Sequence, residues 1–338
     1  MTVAAKVSLP TDRASAAAAI RAATSILISS HINPDGDAIG SILGTALTLA
    51  AAGKRVLPLN PDEVPWTFQK LPQATLVKTW SALEQFGKPD LWLALDSADQ
   101  ERLGLPSEMR PLLEGVPVVQ FDHHITNTRY ADVNIIEADT AACCEQMTHF
   151  LSSEGYTITP DAANCLLCGL VTDSGSFRFT SVTANTFHAA AALVAAGAWP
   201  GVVGQLLGVR RFASTKLWGL VLNTLELQQN GRIVVAQVTR SMFGQVGLEE
   251  EGTEGLVETI RGIEGVDVAI LLREDPSGDI KASFRTTEAV DATVLALANG
   301  GGGHARAAGC TLPGPLAAAR RRVLDQTVQL LEMGTLGV

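Results

Sequence analysis

The chain has 338 residues, 46% of them hydrophobic and 18% charged, a composition that folds and excludes global disorder. Its 25 Lys and Arg stand against 35 Asp and Glu, a formal net charge of −10. That balance argues against coating long duplex DNA, which needs a broad cationic surface to displace counterions, but it allows a small anionic substrate held by a few focused cations or metal ions.

At about 150 residues per domain the length predicts two domains. Lys6, Asp12, Arg13 and Arg21 interrupt the N-terminal apolar stretch, so no secretory signal is expected there. Residues 11–23 read as an Ala-rich helix and Ser25 to Ser30 as a short buried strand. His31 to Asp37 is a loop, and Ala38 to Ala52 an apolar helix closed by Gly53. Further strands begin at Arg55, at Leu91 (ending at Asp96) and at Val116 (ending at Asp122), and Ala162 to Leu170 is a helix that runs into Thr172 and Asp173. Strands alternating with helices predict an α/β domain with a mostly parallel sheet flanked by helices, whose ligands collect beyond the carboxyl ends of the strands.

Phe187 to Val209 carries no Lys, Arg, Asp or Glu, but Trp199-Pro200-Gly201 breaks it, so it reads as two buried helices rather than a membrane span. The apolar helices over 186–216 are expected to join two halves, 1–185 and 217–338. The second half reads as a smaller α/β domain: a helix over 217–227, strands at 231–238, 266–273 and 280–285, the run Gly300 to Gly303, and a closing helix over 315–333. Five cysteines, an odd number in a long chain, predict no disulfide framework and a reducing cytoplasm. Cys165 and Cys168 match C-x-x-C, but with no second pair they are expected on a buried helix face.

Several segments carry chemistry. His31, Asp35 and Asp37 share one Pro/Gly loop, which is either a helix-capping turn or a ligand set for two adjacent metals. Asp96 ends an apolar strand and must be solvated, paired or metal-bound. Asp122-His123-His124 ends another, where an Asp can orient an imidazole. Thr172-Asp173-Ser174-Gly175 offers a further carboxylate on a glycine turn. So many carboxylates at one edge repel one another unless cations intervene. Mixed Asp/His ligands suit Mn2+, with Mg2+ or Co2+ as alternatives, and two such ions ~3.5–4 Å apart activate water for phosphoryl transfer. In the second half, successive glycines let backbone amides approach an anion, although such a run by itself reads first as a flexible turn. Ser283 and Arg285 alternate onto one strand face with Lys281, and Arg285 and His304 add charge for a phosphate. No phosphate loop of the G-x-x-x-x-G-K type, no G-x-S-x-G elbow and no H-E-x-x-H helix is present.

The order His31-x-x-Pro-Asp35-Gly-Asp37-Ala-x-Gly-Ser, strand-end Asp96, Asp122-His123-His124 and Asp173-Ser-Gly resembles the DHH phosphoesterase superfamily. Lys281-Ala-Ser283-Phe-Arg285 and Gly300-Gly301-Gly302-Gly303-His304 through Gly309 look like its DHHA1 domain. The two-domain layout is similar to the nano-RNase/pAp-phosphatase group. Ser174 stands where Thr is common, and Cys143-Cys144 where small hydroxyl residues are common. The resemblance implies a DHH catalytic domain, a DHHA1 substrate domain, a cleft between them and a homodimer. It implies a Mn2+-dependent hydrolase that cuts short RNA oligonucleotides to mononucleotides and 3′-phosphoadenosine 5′-phosphate (pAp) to AMP, by hydroxide activated between two metals. One metal would be bound by His31, Asp35 and Asp96, the other by Asp37, Asp96, His123 and Asp173. Asp122 would orient His123, and His124 would face the scissile phosphate. Ser283, Arg285, Gly301, Gly302, Gly303 and His304 would bind substrate. The rival readings are hydrolysis of pApA or cyclic di-AMP and, from a different class, a catalytically silent nucleotide-binding module.

Overall fold

The computed structural model describes residues 10–201, 204 and 209–334. The backbone divides into two compact units, Met1–Val209 and Arg210–Val338.

The first unit is built on β1 (Ser25–Ser29), β2 (Arg55–Leu59), β3 (Leu91–Leu95), β4 (Val118–Asp122) and β5 (Val133–Ile136), in the order β2-β1-β3-β4-β5. Every neighbouring pair is parallel. The pleat explains the near-continuous apolar runs, because both faces are covered. On β1, Ile26 and Ile28 join one core with α1 (Pro10–Ala22), α2 (Gly36–Ala51), α5 (Cys143–Ser153), α6 (Pro160–Asp173) and α7 (Ala184–Ala195). Leu27 joins a second core on the opposite face with Leu57, Trp80 and Trp92, above the short helices α3 (Leu83–Phe86) and α4 (Arg110–Leu113).

Among the elements the sequence reading does not include, two bear on the site. β5 is only four residues long, and α5 begins without a side-chain cap of its own. The α2 helix starts at Gly36 rather than Ala38, because Asp35 is its N-cap and accepts the Asp37 and Ala38 amides at 3.0 Å each.

Spacing along α2 sets its contact with α6. Gly36, Gly40 and Gly44 recur every four residues, on one face of the helix. A Cβ at Gly40 would stand 2.5 Å from the Cys165 carbonyl, and one at Gly44 2.4 Å from Leu166; Gly36 faces Thr172 equally closely. The register is antiparallel, so the start of α2 meets the end of α6. Cys165 and Cys168 are buried in this core, and all five cysteines are free.

The second unit holds β6 (Glu226–Gln228), β7 (Ile233–Val238), β8 (Val268–Glu274), β9 (Ile280–Thr286), β10 (Gly302–His304) and β11 (Ala307–Leu312), in the order β10-β11-β9-β8-β7-β6. Only β7 and β8 pair in parallel. Helices Ala292–Leu297 and Leu316–Gly334 cover one face. Helices Phe212–Leu222, Arg240–Val246 and Leu256–Arg261 cover the other over β7 and β8. The stretch expected as a helical connector, 186–216, is divided: Ala189, Leu193 and Ala198 pack into the first unit, while helix Phe212–Leu222 packs into the second through Leu217 and Val221. Residues 202, 203 and 205–208 of that stretch lie outside the described residues. Among the described residues no helix is long and apolar enough to cross a membrane.

Candidate metal centre

In the strand order 2-1-3-4-5, the chain leaves β1 toward β2 on one side and returns to β3 on the other. A parallel sheet opens a crevice at such a reversal, beyond the carboxyl ends of the strands. His31 follows β1 and Asp96 follows β3, the two strands that flank the reversal, and His31 Nε2 lies 3.5 Å from Asp96 Oδ2. Asp96 takes a left-handed backbone, φ +52°, which turns the chain sharply at the strand end. Asp122, the last residue of β4, and His123 and His124 complete the edge one strand further along.

Helix ends supply the rest. Asp37 sits in the first turn of α2 and Asp173 is the last residue of α6, so the glycine-lined contact carries both carboxylates to the same place. Asp37 is 1% exposed, and both of its oxygens are engaged: Oδ2 accepts the Cys143 amide at 2.6 Å and Oδ1 the Cys144 amide at 2.9 Å. These are the first-turn amides of α5, which need an acceptor and favour an anion. The cysteines therefore act here through their backbone, and the side-chain departure from the family pattern leaves this contact in place.

His123 Nε2 faces three carboxylates together, Asp173 at 3.2 Å, Asp96 at 3.5 Å and Asp37 at 3.9 Å. Its Nδ1 points to the Thr140 carbonyl at 3.4 Å. The expectation that Asp122 orients His123 is corrected: Asp122 Oδ1 bonds His124 Nδ1 at 2.7 Å. In extended backbone, side chains two apart share a face and adjacent ones diverge, which puts His124 and not His123 beside Asp122. Asn127 donates to the other oxygen of Asp122. His31 Nδ1 lies 2.7 Å from the Ile32 carbonyl, so an Nδ1–H donated there leaves Nε2 toward Asp96.

The electrostatics are those of carboxylates and imidazoles packed together in a buried cluster. Burial pushes Asp37 and Asp173 up, and the neighbouring carboxylates add to it, to about 7 and about 8. Burial lowers His31, but Asp96 and Asp35 outweigh it and carry the imidazole to about 9. His123 and His124 are likewise depressed by burial and raised overall, by Asp96 and by Asp122 respectively. Burial also raises Asp96, yet the two imidazoles hold it below the usual carboxylate range.

Three sets of ligand-type atoms converge, each with its atoms within 4.8 Å of one another: His31, Asp35 and Asp96; Asp37, His123 and Asp173; and Asp96, His123 and His124. Asp96 Oδ1 is buried and, among the described residues, has no hydrogen-bond partner. A buried carboxylate oxygen without a donor is costly unless a cation occupies its lone pairs. The donor set of imidazole nitrogens and carboxylate oxygens thus fits divalent cations.

In the second unit, Lys281, Ser283 and Arg285 share the half-buried face of β9, where Gly309 of β11 lies opposite Ser283. Arg285 is engaged by Glu258, whose Oε1 accepts Nε at 2.8 Å and Nη2 at 2.7 Å. Gly301 and Gly303 are required by the strand pairing itself, since a Cβ would stand 2.1 Å from the Gly309 carbonyl and 2.5 Å from that of Ala307. Gly302 faces open space. The His304 backbone ends β10, and its side chain lies outside the described residues.

Residues 25–170 match the model of the DHH family N-terminal domain, and residues 230–332 that of the DHHA1 domain. A Thermus thermophilus protein described as a bifunctional oligoribonuclease and PAP phosphatase, NrnA, is 34% identical, covering 89% of this chain and 88% of the relative. A Streptococcus mutans protein described as a probable enzyme of the same kind is 24% identical, covering 86% and 91%. Among solved structures, an exopolyphosphatase-related protein from Bacteroides fragilis matches with TM-score 0.88 over 98% of both chains at 24% identity, a likeness of fold.

Proposed function

Because the chain belongs to the DHH family and carries the DHHA1 domain, we propose that this hydrolase of phosphoester bonds cuts short RNA oligonucleotides to mononucleotides and converts pAp to AMP with two Mn2+ ions. The observation that carries the reading is the convergence of two ligand sets, from separate strand ends and helix ends, around the buried Asp96, whose Oδ1 lacks a hydrogen-bond partner among the described residues. His31, Asp35 and Asp96 would hold one ion; Asp37, Asp96, His123 and Asp173 would hold the other. Relatives described as oligoribonucleases and PAP phosphatases support the substrate class. A homodimer and a reducing cytoplasm complete the proposal; the free thiols suit that compartment.

Bound ions supply Lewis acidity, lowering the pKa of the attacking water and neutralising charge on the phosphoryl group. The chain's own groups do the positioning. The α5 amides lock the Asp37 carboxylate, so it cannot swing toward solvent. Asp122 accepts Nδ1–H of His124, so proton exchange with the substrate runs through Nε2. Asp122 holds the His124 pKa above its ordinary value, which favours the protonated imidazole that protonating a leaving oxygen requires. On β9, Ser283 and Arg285, with the amides of Gly301 to Gly303 and with His304, would grip the terminal phosphate, Arg285 exchanging Glu258 for substrate.

The test is turnover of a 5′-labelled RNA dinucleotide and, separately, of pAp by metal-stripped protein given back Mn2+, beside Asp96→Ala. Release of mononucleotide and phosphate that depends on metal and disappears in the variant is expected. A wild type that turns over neither substrate would overturn the reading.

A further inference from the structure

The loop after Asp173 carries an aromatic group that the chemistry above leaves unused. Once α6 ends, Gly175, Ser176 and Phe177 all take positive φ, +58°, +61° and +62°. Such backbone is costly for residues with a side chain and persists only where surrounding contacts impose it. Here the Phe177 ring packs against the first-unit core and stacks on Phe187 at 5.2 Å. The Ser176 amide donates to the Val171 carbonyl at 2.7 Å, and the Ser174 carbonyl accepts the amides of Arg178 and Phe179 at 3.0 and 3.1 Å.

The chain therefore doubles back, and the Phe179 ring rests against Gly175, 2.5 Å from where a Cβ would stand. Phe177 is partly buried against the core, whereas Phe179 is left 55% exposed, on a turn hydrogen-bonded to the residue next to Asp173. The other side of the cluster has a counterpart. Ile125 directly follows His124 and is 88% exposed, and the two loops meet where His123 Nε2 approaches Asp173 Oδ2 at 3.2 Å. Single exposed apolar residues need no explanation. One on each of two loops that meet at an ionic cluster, one of them held out by strained backbone, does.

We propose that Phe179 is the stacking platform for the nucleobase of the nucleotide whose phosphate sits at the cluster, with Ile125 lining the same rim. The proposal rests on the phosphoesterase reading of that cluster and names what the substrate must carry beside its phosphate. An aromatic platform tolerates every base, because each presents a π-face. The subsite thus selects a base over none, not one base over another.

Steady-state kinetics with Mn2+ on the full chain test it, using an RNA dinucleotide and its abasic counterpart against wild type, Phe179→Ala and Phe179→Trp. Phe179→Ala should raise KM for the dinucleotide about tenfold while kcat holds, and should leave KM for the abasic substrate where it was. Phe179→Trp should restore the dinucleotide KM, and its fluorescence, relative to wild type, should be quenched by AMP. Equal KM for wild type and Phe179→Ala on the dinucleotide would overturn the stacking role and leave the phosphoesterase reading standing. An equal loss on the abasic substrate would also overturn it, since the residue would then be structural. Turnover of neither substrate by wild type would overturn the parent reading, and the AMP titration of Phe179→Trp would then decide stacking alone: quenching upholds it and no quenching overturns it.

Discussion

Replacing Gly40 by alanine places a methyl group 2.5 Å from the Cys165 carbonyl oxygen and 3.0 Å from the Gly169 amide nitrogen. Both are backbone atoms of α6, so no side-chain rotamer can relieve the contact. Ordinary contact needs about 0.9 Å more, and a gap of that size between the helices forfeits roughly a quarter to a half of the dispersion attraction across them. Overpacking against so rigid a partner costs about 3 kcal/mol, the upper end of the usual range. Alanine returns about 1 kcal/mol of helix propensity, so the net loss is about 2 kcal/mol. For a unit of this size that is a fall of roughly 4–8 °C in Tm. Gly219→Ala is the control, since Gly219 also lies within a helix, Phe212–Leu222, and nothing stands within 4 Å of the added methyl. It should be neutral or stabilising by up to about 1 kcal/mol. Thermal unfolding of the metal-free protein, followed by circular dichroism, measures both. Mn2+ affinity by calorimetry should also weaken in Gly40→Ala, because the ends of these helices carry Asp37 and Asp173. A Gly40→Ala protein that melts like Gly219→Ala and binds Mn2+ like wild type would refute the argument that this close approach builds the site.

Three further outcomes are expected. Asp37, Asp173 and His31 have folded pKa values raised to about 7, about 8 and about 9, so through these groups the folded protein holds more protons than the unfolded chain between about pH 4, the ordinary carboxylate pKa, and about pH 9. Stability of the metal-free protein should therefore decline as pH rises from about 4 to about 9, and saturating Mn2+ should flatten the decline; a Tm independent of pH without metal would contradict this. Asp122→Asn removes the carboxylate that holds the His124 pKa up. The alkaline fall of kcat should then move to lower pH, because the acid loses its proton earlier; an unmoved profile would take His124 out of proton transfer. Glu258→Gln releases the Arg285 guanidinium and should lower KM for pAp by up to about fivefold, the worth of an exposed ion pair, whereas Arg285→Ala should raise it. An unchanged KM in both would remove Arg285 from the substrate site.

His31, Asp96 and Asp122 were readable as a site because each ends an apolar run, and a parallel sheet brings the carboxyl ends of its strands to one edge. The Asp35 loop was ambiguous between cap and ligand for a physical reason: Oδ1 caps α2 while the same carboxylate lies with His31 and Asp96. The start of α5 was not readable, because its cap is the Asp37 carboxylate, 106 residues earlier. Nor was the partner of Asp122, which follows from the direction of the backbone after β4 rather than from residue type.

Residue type and short-range pattern, by themselves, determined the α/β class, the strands that end in polar residues and the family the motifs resemble. Apolar periodicity and turn chemistry act over a few residues and leave their mark in the local order of the chain. Only the tertiary structure decided that Gly36, Gly40 and Gly44 are a helix contact, that Arg285 answers to Glu258 and that Phe179 stands open while Phe177 is packed. Each of those outcomes depends on a surface supplied by a distant segment, and the energy that selects it exists only when the two surfaces meet.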